Sequence, residues 1–335
     1  MQALKFAACV EKAGFPPGVI NVLSGRGAVG AALSWHMDVR MITFTGSTRT
    51  GRLVAEAAAK SNMKNVVMEL GGKSPAIVFA DADLAAAVAD THASVTFNSG
   101  QVCMANSRIY VHHSVAQPFL DLFTRKFAAA ALGLGVDPLD HACTLGPVAD
   151  RAQFDTVNRY IELGKASGAL HFPSPSHEGQ QREQEQSVEC AGASDSDSGS
   201  GSDSDGATGR RRGYFVSPTI FTETPEQAQI MKEEVFGPVV NINTFVTEEE
   251  AISKANDSEY GLYAAVYTKD LDRAMRVSKQ LEAGYVGINC TSPTTMPDMP
   301  FGGWKGSGLG REGFGHSLNN FLETKTVCIK VASNL

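Results

Sequence analysis

Residues 39–72 read "VRMITFTGSTRTGRLVAEAAAKSNMKNVVMELGG", and this stretch decides the fold class. Its first part, "VRMITFTG", is an apolar run with β-branched residues, which predicts a strand. The middle part, "STRTGRLVAEAAAKS", has helical periodicity, and Ser47 or Thr48 stands near its start as a cap. The last part, "KNVVMELGG", predicts a second strand. Strand, helix and strand in this order predict neighbouring parallel strands.

The same alternation continues on both sides of this stretch. Before it, "LKFAACVEKAG" predicts a helix that stops at Gly14, "GVINVLSG" a short buried strand and "AVGAALSWH" a helix. After it, "SPAIVFA" predicts a strand, and "DADLAAAVADTHASVTFNSG" predicts a helix with Asp81 or Asp83 as its cap. The order predicts an α/β protein with a mostly parallel sheet.

The character of the chain changes at residues 171–212. This segment is rich in Ser, Asp, Gly and Gln and has no aliphatic periodicity, so it predicts a disordered surface insertion. Its acidic serine run is interpreted as a solvated spacer or as a phosphorylation target, with the spacer favoured. Strand and helix patterns resume at "GYFVSPTIF" and end with a last predicted strand, "TKTVCIKV".

Length and charge limit the functional classes. A chain of 335 residues can bury a sizeable core and predicts two domains. The net charge of −7 argues against nucleic acid or an anionic membrane as the main partner. Lys5 and Glu11 interrupt the apolar core that a signal peptide would need, and no apolar run has membrane-spanning length. We therefore expect an intracellular, cytoplasmic protein.

The six cysteines are scattered and form no Cys-x-x-Cys pair. This spacing predicts no metal site and no disulfide framework. In a reducing compartment most of them are expected to be small buried hydrophobes. Cys103 differs, because "NSGQVCMANSR" is a small, polar, Gly-containing stretch. It predicts that Cys103 lies near a helix end or in a loop and not in the middle of an apolar stripe. Backbone N–H groups there would lower the pKa of its thiol and hold an oxyanion.

Two glycine-containing turns are candidate phosphate sites. "SGRGAVG" supplies Gly25, Gly27 and Gly30 in a GxGxxG pattern between a predicted strand and helix, but no clear ribose-binding acid follows. "FTGSTRTG" places Gly46 and Ser47 where a helix begins, which suits a phosphate. A glycine-rich packing turn and an ordinary Ser/Thr cap are the respective alternatives.

Carboxylates mark two further stretches. Glu69 in "MELGGKSP" ends an apolar strand, where α/β sheets bind ligands and where partial burial would make it a usable general base. A structural role for Glu69 is an equal alternative. In "KEEVFGPVV", Glu233 or Glu234 would accept from ribose hydroxyls and Phe236 would stack on a flat ring. The alternative there is a solvated helix end followed by a strand.

Taken together, these motifs resemble the aldehyde dehydrogenase superfamily. The resemblance runs from residue 1 to the C-terminus and is interrupted only by the predicted insertion. It is carried by an ordered set of stretches: "EKAGFPPGVINVLSG", "FTGST", "ELGGKSP", "NSGQVC" followed by "ANSR", "EEVFGPV", "PFGGWKGSGLGRE" and "ETKTV".

The resemblance implies the catalytic roles. Cys103 matches the nucleophile that forms a thiohemiacetal and then a thioester, and its backbone N–H matches half of the oxyanion hole. Glu69 matches the base that activates water for hydrolysis. Glu323 matches a glutamate assigned to a proton relay, and Phe301 is expected to line the substrate mouth.

The resemblance also implies NAD or NADP as cofactor. The matching residues are assigned to the pyrophosphate region (Gly46, Ser47), the adenine side (Gly27), the nicotinamide (Leu70, Gly71), its ribose (Glu234) and the aromatic position beside it (Phe236).

By the same resemblance, residues 1–70 are the C-terminal part of a Rossmann-type cofactor-binding domain. Residues 71–312 are an α/β catalytic domain that carries the insertion, and residues 313–335 a C-terminal segment with an oligomerisation strand. No stretch matches the family's "PWN" segment, whose Asn completes the oxyanion hole, or its "KPAE"-like segment. We therefore expect an N-terminally truncated member, which is a homo-oligomer if the N-terminal part is present.

The expected function is oxidation of an aldehyde to a carboxylic acid with NAD(P)+. One alternative is a cysteine-dependent esterase that uses Cys103 and Glu69 without nicotinamide. Another is a catalytically impaired homologue that acts as an interaction protein through its acidic insertion.

Overall fold

A computed structural model describes residues 2–131, 134, 137–141, 143–173, 213–294, 296 and 298–331. Apart from residues 171–173, the predicted insertion lies outside the described residues. Residues 171–173 belong to a strand that pairs with its neighbour, which corrects the predicted boundary.

A small three-stranded sheet carries the stretch that decided the fold class. Strands β1 (Met41–Thr45) and β2 (Asn65–Glu69) are parallel, and helix α3 (Thr48–Lys60) connects them. Strand β12 (Gly308–Leu309) returns from the far end of the chain and pairs antiparallel with β2, opposite Glu69. Two more helices precede this sheet, α1 (Gln2–Lys12) and α2 (Gly27–Trp35).

The larger sheet has seven strands in the order β10-β9-β3-β4-β7-β6-β5, and all of its pairs are parallel except β5 with β6. The bounds of its strands are β3 (Pro75–Val78), β4 (Arg108–His112), β5 (Leu170–Pro173), β6 (Thr219–Thr222), β7 (Val239–Phe245), β9 (Tyr263–Tyr267) and β10 (Tyr285–Ile288). Strands β8 (Tyr260–Gly261) and β11 (Trp304–Lys305) form a separate two-stranded ladder.

Helices cover both faces of the larger sheet. They are α4 (Leu84–Thr96), α5 (Ala116–Ala131), α6 (Arg151–Ala166), α7 (Gln229–Lys232), α8 (Glu248–Asn256) and α9 (Leu271–Gln280), and α10 (Phe314–Asn320) follows later in the chain. In β3, Ala76 and Val78 pack with Phe123 of α5, whereas Ile77 packs with Val277 of α9 on the other face. Burial on both faces explains why the central strands are continuous apolar runs.

Two predicted helix starts are confirmed by their caps. Ser47 accepts a hydrogen bond from the Thr50 N–H at the start of α3. Asp83, the second of the two candidates, accepts from the Ala86 N–H at the start of α4. Both bonds satisfy a backbone donor that has no partner within its own helix.

Two predicted strands do not form. "GVINVLSG" has no strand, and Leu23 in it is 66% exposed. "TKTVCIKV", residues 324–331, is also without strand structure, and Ile329 is 78% exposed. Within the described part of the chain, neither segment has a neighbouring strand. Their backbones therefore have no strand with which to form hydrogen bonds, although the apolar pattern is that of a strand. Pairing of the second segment with another copy of the chain stays a prediction.

Within the described ranges, no helix combines the length and apolar character that crossing a membrane requires. The same residues contain no group of three or more His, Cys, Asp and Glu side chains arranged to hold a metal ion.

We predict that Gly100 is required by both its conformation and its neighbours. Its φ is +74°, and a Cβ there would lie 2.2 Å from the carbonyl of Gly237. Gly168 has a similar φ of +84° with open space around it. In urea unfolding, Gly168→Ala should lose about 1–2 kcal/mol for the left-handed backbone alone. Gly100→Ala should lose about 1–3 kcal/mol more for the overlap; equal losses would contradict this packing.

Candidate active site

Cys103 lies in a loop that the backbone bends sharply to reach. After α4, a 3₁₀ turn (Phe97–Gly100) contains Asn98, Ser99 and Gly100 at positive φ. The chain then continues as a loop that ends where Arg108 begins β4. Cys103 is half-buried in this loop. The prediction that it lies in a loop rather than in an apolar helical stripe is confirmed.

The backbone of Gly72 lies directly against Cys103. A Cβ on Gly72 would come within 2.2 Å of the Cys103 carbonyl oxygen, so no residue with a side chain fits there without movement. Gly72 follows Glu69 by three residues, after the end of β2. This contact is therefore what brings the predicted nucleophile and the predicted base to the same place.

The buried side chain of Arg108 also connects the Cys103 loop with the segment that follows Gly72. Its buried guanidinium donates to the carbonyl oxygens of Lys73 at 2.9 Å, Lys254 at 3.0 Å and Ala255 at 2.8 Å. Because a buried cation must be satisfied by hydrogen bonds, these bonds hold the end of the Cys103 loop, the segment after Gly72 and the end of α8 together.

Glu69 is a buried carboxyl without a hydrogen-bond partner. Its side chain is 5% exposed, and neither oxygen has a partner among the described residues. Burial, with a smaller contribution from the charge of Glu312, raises its pKa to about 8, while Arg311 opposes the shift. A carboxyl with this pKa exchanges protons near neutral pH. An unpartnered buried acid is also more typical of a functional site than of a structural one.

The pKa of the Cys103 thiol is shifted in the direction opposite to the one expected. Burial and the neighbouring carboxyls of Glu234 and Glu69 raise its pKa to about 11. The backbone N–H groups of Cys103 and Met104 do favour the thiolate, as expected, but their effect is smaller. The predicted lowering of the pKa is therefore wrong for the protein alone, because burial of the thiol and the nearby acid Glu234 outweigh the N–H groups, and the sequence revealed neither.

Glu234 is held by the same glycine pair. Its Oε1 accepts a hydrogen bond from the Gly72 N–H at 3.0 Å, and a Cβ on Gly71 would lie 2.5 Å from Oε2. Burial raises its pKa to about 7, against the effects of the Gly72 N–H and the charge of Lys73. Glu233 instead accepts from the Tyr160 hydroxyl and from Gln229, which gives it a structural role.

Ser307, immediately before β12, holds Leu70 and Gly71 from the other side. The Leu70 N–H donates to the Ser307 carbonyl at 2.8 Å, and the Ser307 hydroxyl donates to the Gly71 carbonyl at 2.6 Å. Phe236 has a φ of +57° and a partly exposed ring, and its carbonyl accepts from the Gln153 amide at 2.9 Å. A pocket lined by Gly72, Ala105, Glu234 and Phe236, among others, separates the Cys103 loop from this segment.

The predicted phosphate-binding residues lie at two helix starts. Gly46 donates its N–H to the Glu69 carbonyl at 3.1 Å, so it joins β1 to the base-carrying strand. Ser47 follows, exposed, at the start of α3. Gly27 is the first residue of α2, with open space around it. Exposed helix N-termini suit phosphate oxygens, and the Glu234 carboxylate suits ribose hydroxyls, so this donor set fits a dinucleotide.

Two predicted residues lie away from this cluster or at its margin. Glu323 accepts from the Asn65 amide at 3.1 Å, at the start of β2, whereas Glu69 ends that strand. Glu323 thus lies at the opposite end of β2 from Glu69, and its role in a proton relay stays a prediction. Phe301 packs 6.2 Å from the ring of Tyr285 and pairs by backbone hydrogen bonds with Glu312.

Sequence reasoning missed Glu312, Arg311 and Lys73. The charges of Glu312 and Arg311 act on Glu69 because β12, which immediately precedes them, pairs with β2. Lys73 is 1% exposed with no hydrogen bond to its ammonium among the described residues, and burial lowers its pKa to about 7. The "GREG" and "GGKSP" stretches contain these residues, but only long-range pairing reveals what they face.

Comparison with known proteins gives a consistent family. The model of the aldehyde dehydrogenase family matches residues 1–189 and 174–327. An aldehyde dehydrogenase of Davidiella tassiana is 44% identical over 330 residues, which cover 98% of this chain and 60% of that protein. The Saccharomyces cerevisiae protein named aldehyde dehydrogenase NAD(P)+ 2 is 40% identical over 335 residues, 99% of this chain and 60% of that protein. The chain thus spans about 60% of the length of these curated relatives.

Solved structures agree with this comparison. An indole-3-acetaldehyde dehydrogenase in complex with NAD+ has a TM-score of 0.85 and 37% identity, covering 99% of this chain and 61% of that one. A betaine aldehyde dehydrogenase of Staphylococcus aureus in complex with NAD+ has a TM-score of 0.83 and 33% identity, covering 97% of this chain and 58% of that one.

We predict that Glu69 makes stability depend on pH. Its pKa is about 8 in the folded chain and near 4.5 when exposed, so the folded state binds more protons between these values and loses stability as pH rises. Glu69→Gln does not titrate. Relative to wild type, its free energy of unfolding should therefore increase from pH 5 to pH 8 and level off above that.

Thermal melts across this pH range measure the effect, and Glu11→Gln, at an exposed glutamate, is the control. A difference between Glu69→Gln and wild type that stays constant with pH would contradict the burial of a titrating acid.

Proposed function

The chain belongs to the aldehyde dehydrogenase family, and from this we propose that it oxidises aldehydes to carboxylic acids with NAD+ or NADP+ through a covalent intermediate on Cys103. The observation that carries the proposal is the contact between Gly72 and the Cys103 carbonyl. This contact brings a thiol and a partner-free carboxyl, Glu69, into one buried site.

In the first step, the Cys103 sulfur attacks the aldehyde carbon and a carbon–sulfur bond forms. The thiol proton leaves to a neighbouring base, and the carbonyl π electrons move onto oxygen to give a thiohemiacetal. The Cys103 N–H supports this step, because a backbone donor near the sulfur stabilises the developing oxyanion. The nearby acids that raise the thiol pKa would act against thiolate formation in the protein alone.

The chain's own residues would hold the cofactor. Gly46, Ser47 and the N–H groups at the start of α3 are suited to its pyrophosphate, and Glu234 to its ribose. When bound, the oxidised nicotinamide supplies a hydride acceptor, and loss of hydride from the aldehyde carbon leaves a thioester on Cys103. Gly27 on the adenine side, Leu70 and Gly71 at the nicotinamide and Phe236 beside it complete the proposed contacts.

Hydrolysis of the thioester is assigned to Glu69. Its carboxylate takes a proton from water as the water oxygen attacks the thioester carbon, and the carbon–sulfur bond breaks to release the carboxylic acid and the Cys103 thiol. A pKa near 8 suits this work, because the group is close to the pH at which it must accept and return a proton. Glu312, whose charge acts on Glu69, is a better-supported partner for that proton than Glu323.

We expect Cys103→Ser to abolish NADH formation. With NAD+ and a panel of aliphatic and aromatic aldehydes, the rate of absorbance change at the NADH band should fall about a thousandfold or more, since loss of a covalent nucleophile costs at least that much. Cys143→Ser, at another half-buried cysteine, is the control and should keep the wild-type rate. Equal rates for Cys103→Ser and wild type would refute the mechanism.

A further inference from the structure

A chain of buried hydroxyl groups connects the loop of Cys103 to helix α4, which precedes it, and to the distant segment after β10. Ser94, in α4, is 1% exposed, and Ser292, in the segment after β10, is 2% exposed. Their hydroxyl oxygens are in hydrogen-bond contact with each other. Hydroxyls buried this completely are costly unless each proton and lone pair has a partner.

The direction of every hydrogen bond in this chain follows from its ends. The Asn106 N–H donates to Ser94 Oγ at 3.0 Å. At the other end, Ser292 Oγ contacts the Met104 carbonyl oxygen at 2.8 Å, and a carbonyl can only accept. The Ser292 hydroxyl therefore donates to the Met104 carbonyl, and the Ser94 hydroxyl must donate to Ser292 Oγ. Each hydroxyl donates one bond and accepts one, so the chain is satisfied in a single direction.

The Asn106 side chain fastens the same loop on a second side. Its amide nitrogen donates to the Pro75 carbonyl at 3.4 Å, and its oxygen accepts from the Thr291 hydroxyl. Asn106 and Thr291 are fully or nearly fully buried. The backbone from Met104 to Asn106, immediately after Cys103, is thus held by α4, by the start of β3 and by the segment after β10.

These bonds hold the peptide groups that immediately follow the two whose N–H groups face the sulfur. The N–H groups of Cys103 and Met104 both favour the thiolate form of Cys103. The direction of the Met104 N–H depends on the conformation of Met104, whose carbonyl Ser292 holds. A loop free to rotate at Met104 would lose this donor to solvent or to another acceptor.

We propose that Ser292, itself oriented by Ser94, is a positioning residue that keeps the N–H groups of Cys103 and Met104 directed at the sulfur and at the oxygen of the bound carbonyl. The inference deepens the proposed function, because it rests on Cys103 as the nucleophile. It adds residues that touch neither substrate nor cofactor and that act only through the backbone of the loop.

Alkylation of Cys103 by iodoacetamide tests this directly, since it needs neither aldehyde nor NAD(P)+. Peptide mass spectrometry follows each cysteine, and exposed Cys9 and Cys328 are reference thiols in the same molecule. In Ser292→Ala, alkylation of Cys103 at pH 8–9, well below the thiol pKa of about 11, should be about tenfold slower, which corresponds to a rise of about one unit in that pKa. The two reference thiols should not change.

Two further variants separate positioning from general destabilisation. Ser94→Ala should have a similar effect, and the double variant should be no worse than Ser292→Ala, because the two hydroxyls act in series. Ser278→Ala removes a hydroxyl bond to a backbone carbonyl at the surface of α9 and should leave Cys103 unchanged.

An unaltered pH profile at Cys103 in Ser292→Ala, even with a lower melting temperature, would overturn the proposal, as would additive effects in the double variant. The proposed function fails separately, if Cys103→Ser still forms NADH at the wild-type rate.

Discussion

The absence of a side chain at Gly71 and Gly72 is the constraint on which the site depends. Gly72 lies against the Cys103 carbonyl, and its N–H holds the carboxylate of Glu234, whose other oxygen occupies the space of a Cβ at Gly71. Ser307, immediately before β12, bonds the backbone of Leu70 and Gly71. Three segments that lie far apart in the sequence therefore meet at one turn, because only glycine lets their backbones and carboxylates approach so closely.

This approach also sets the electrostatics of the site. Cys103, Glu69 and Glu234 share one buried volume, and burial raises the pKa of all three. The neutral forms are thus favoured while the protein is alone, and like-charge repulsion opposes ionising more than one group. The charge of buried Lys73 lowers the pKa of Glu234 and so partly opposes the rise that burial causes. In the proposed function, a cationic nicotinamide bound at this site would favour the thiolate.

Much of the fold and part of the site could be predicted from the sequence. The features that could not be predicted have a common cause. The strand–helix–strand order around α3, the caps at Ser47 and Asp83 and the loop position of Cys103 follow from local patterns. The two predicted strands that do not form, in 18–25 and 324–331, have the local residue pattern of a strand. Within the described residues, however, they have no partner strand. The raised pKa of Cys103 depends on its burial and on Glu234, more than 100 residues later in the chain. The charge of Glu312 acts on Glu69 across more than 200 residues. A single sequence carries no signal for such long-range approaches.

The central claim is that Cys103 carries the acyl group and Glu69 releases it. Intact-mass and peptide mass spectrometry of Glu69→Gln after mixing with an aldehyde and NAD+ tests it most directly, because a blocked hydrolysis step leaves the intermediate in place. We expect one added group per chain, with the mass of the aldehyde less two hydrogens, on the peptide that contains Cys103. NADH formation with Cys103 unmodified, or an acyl group on another residue, would contradict it.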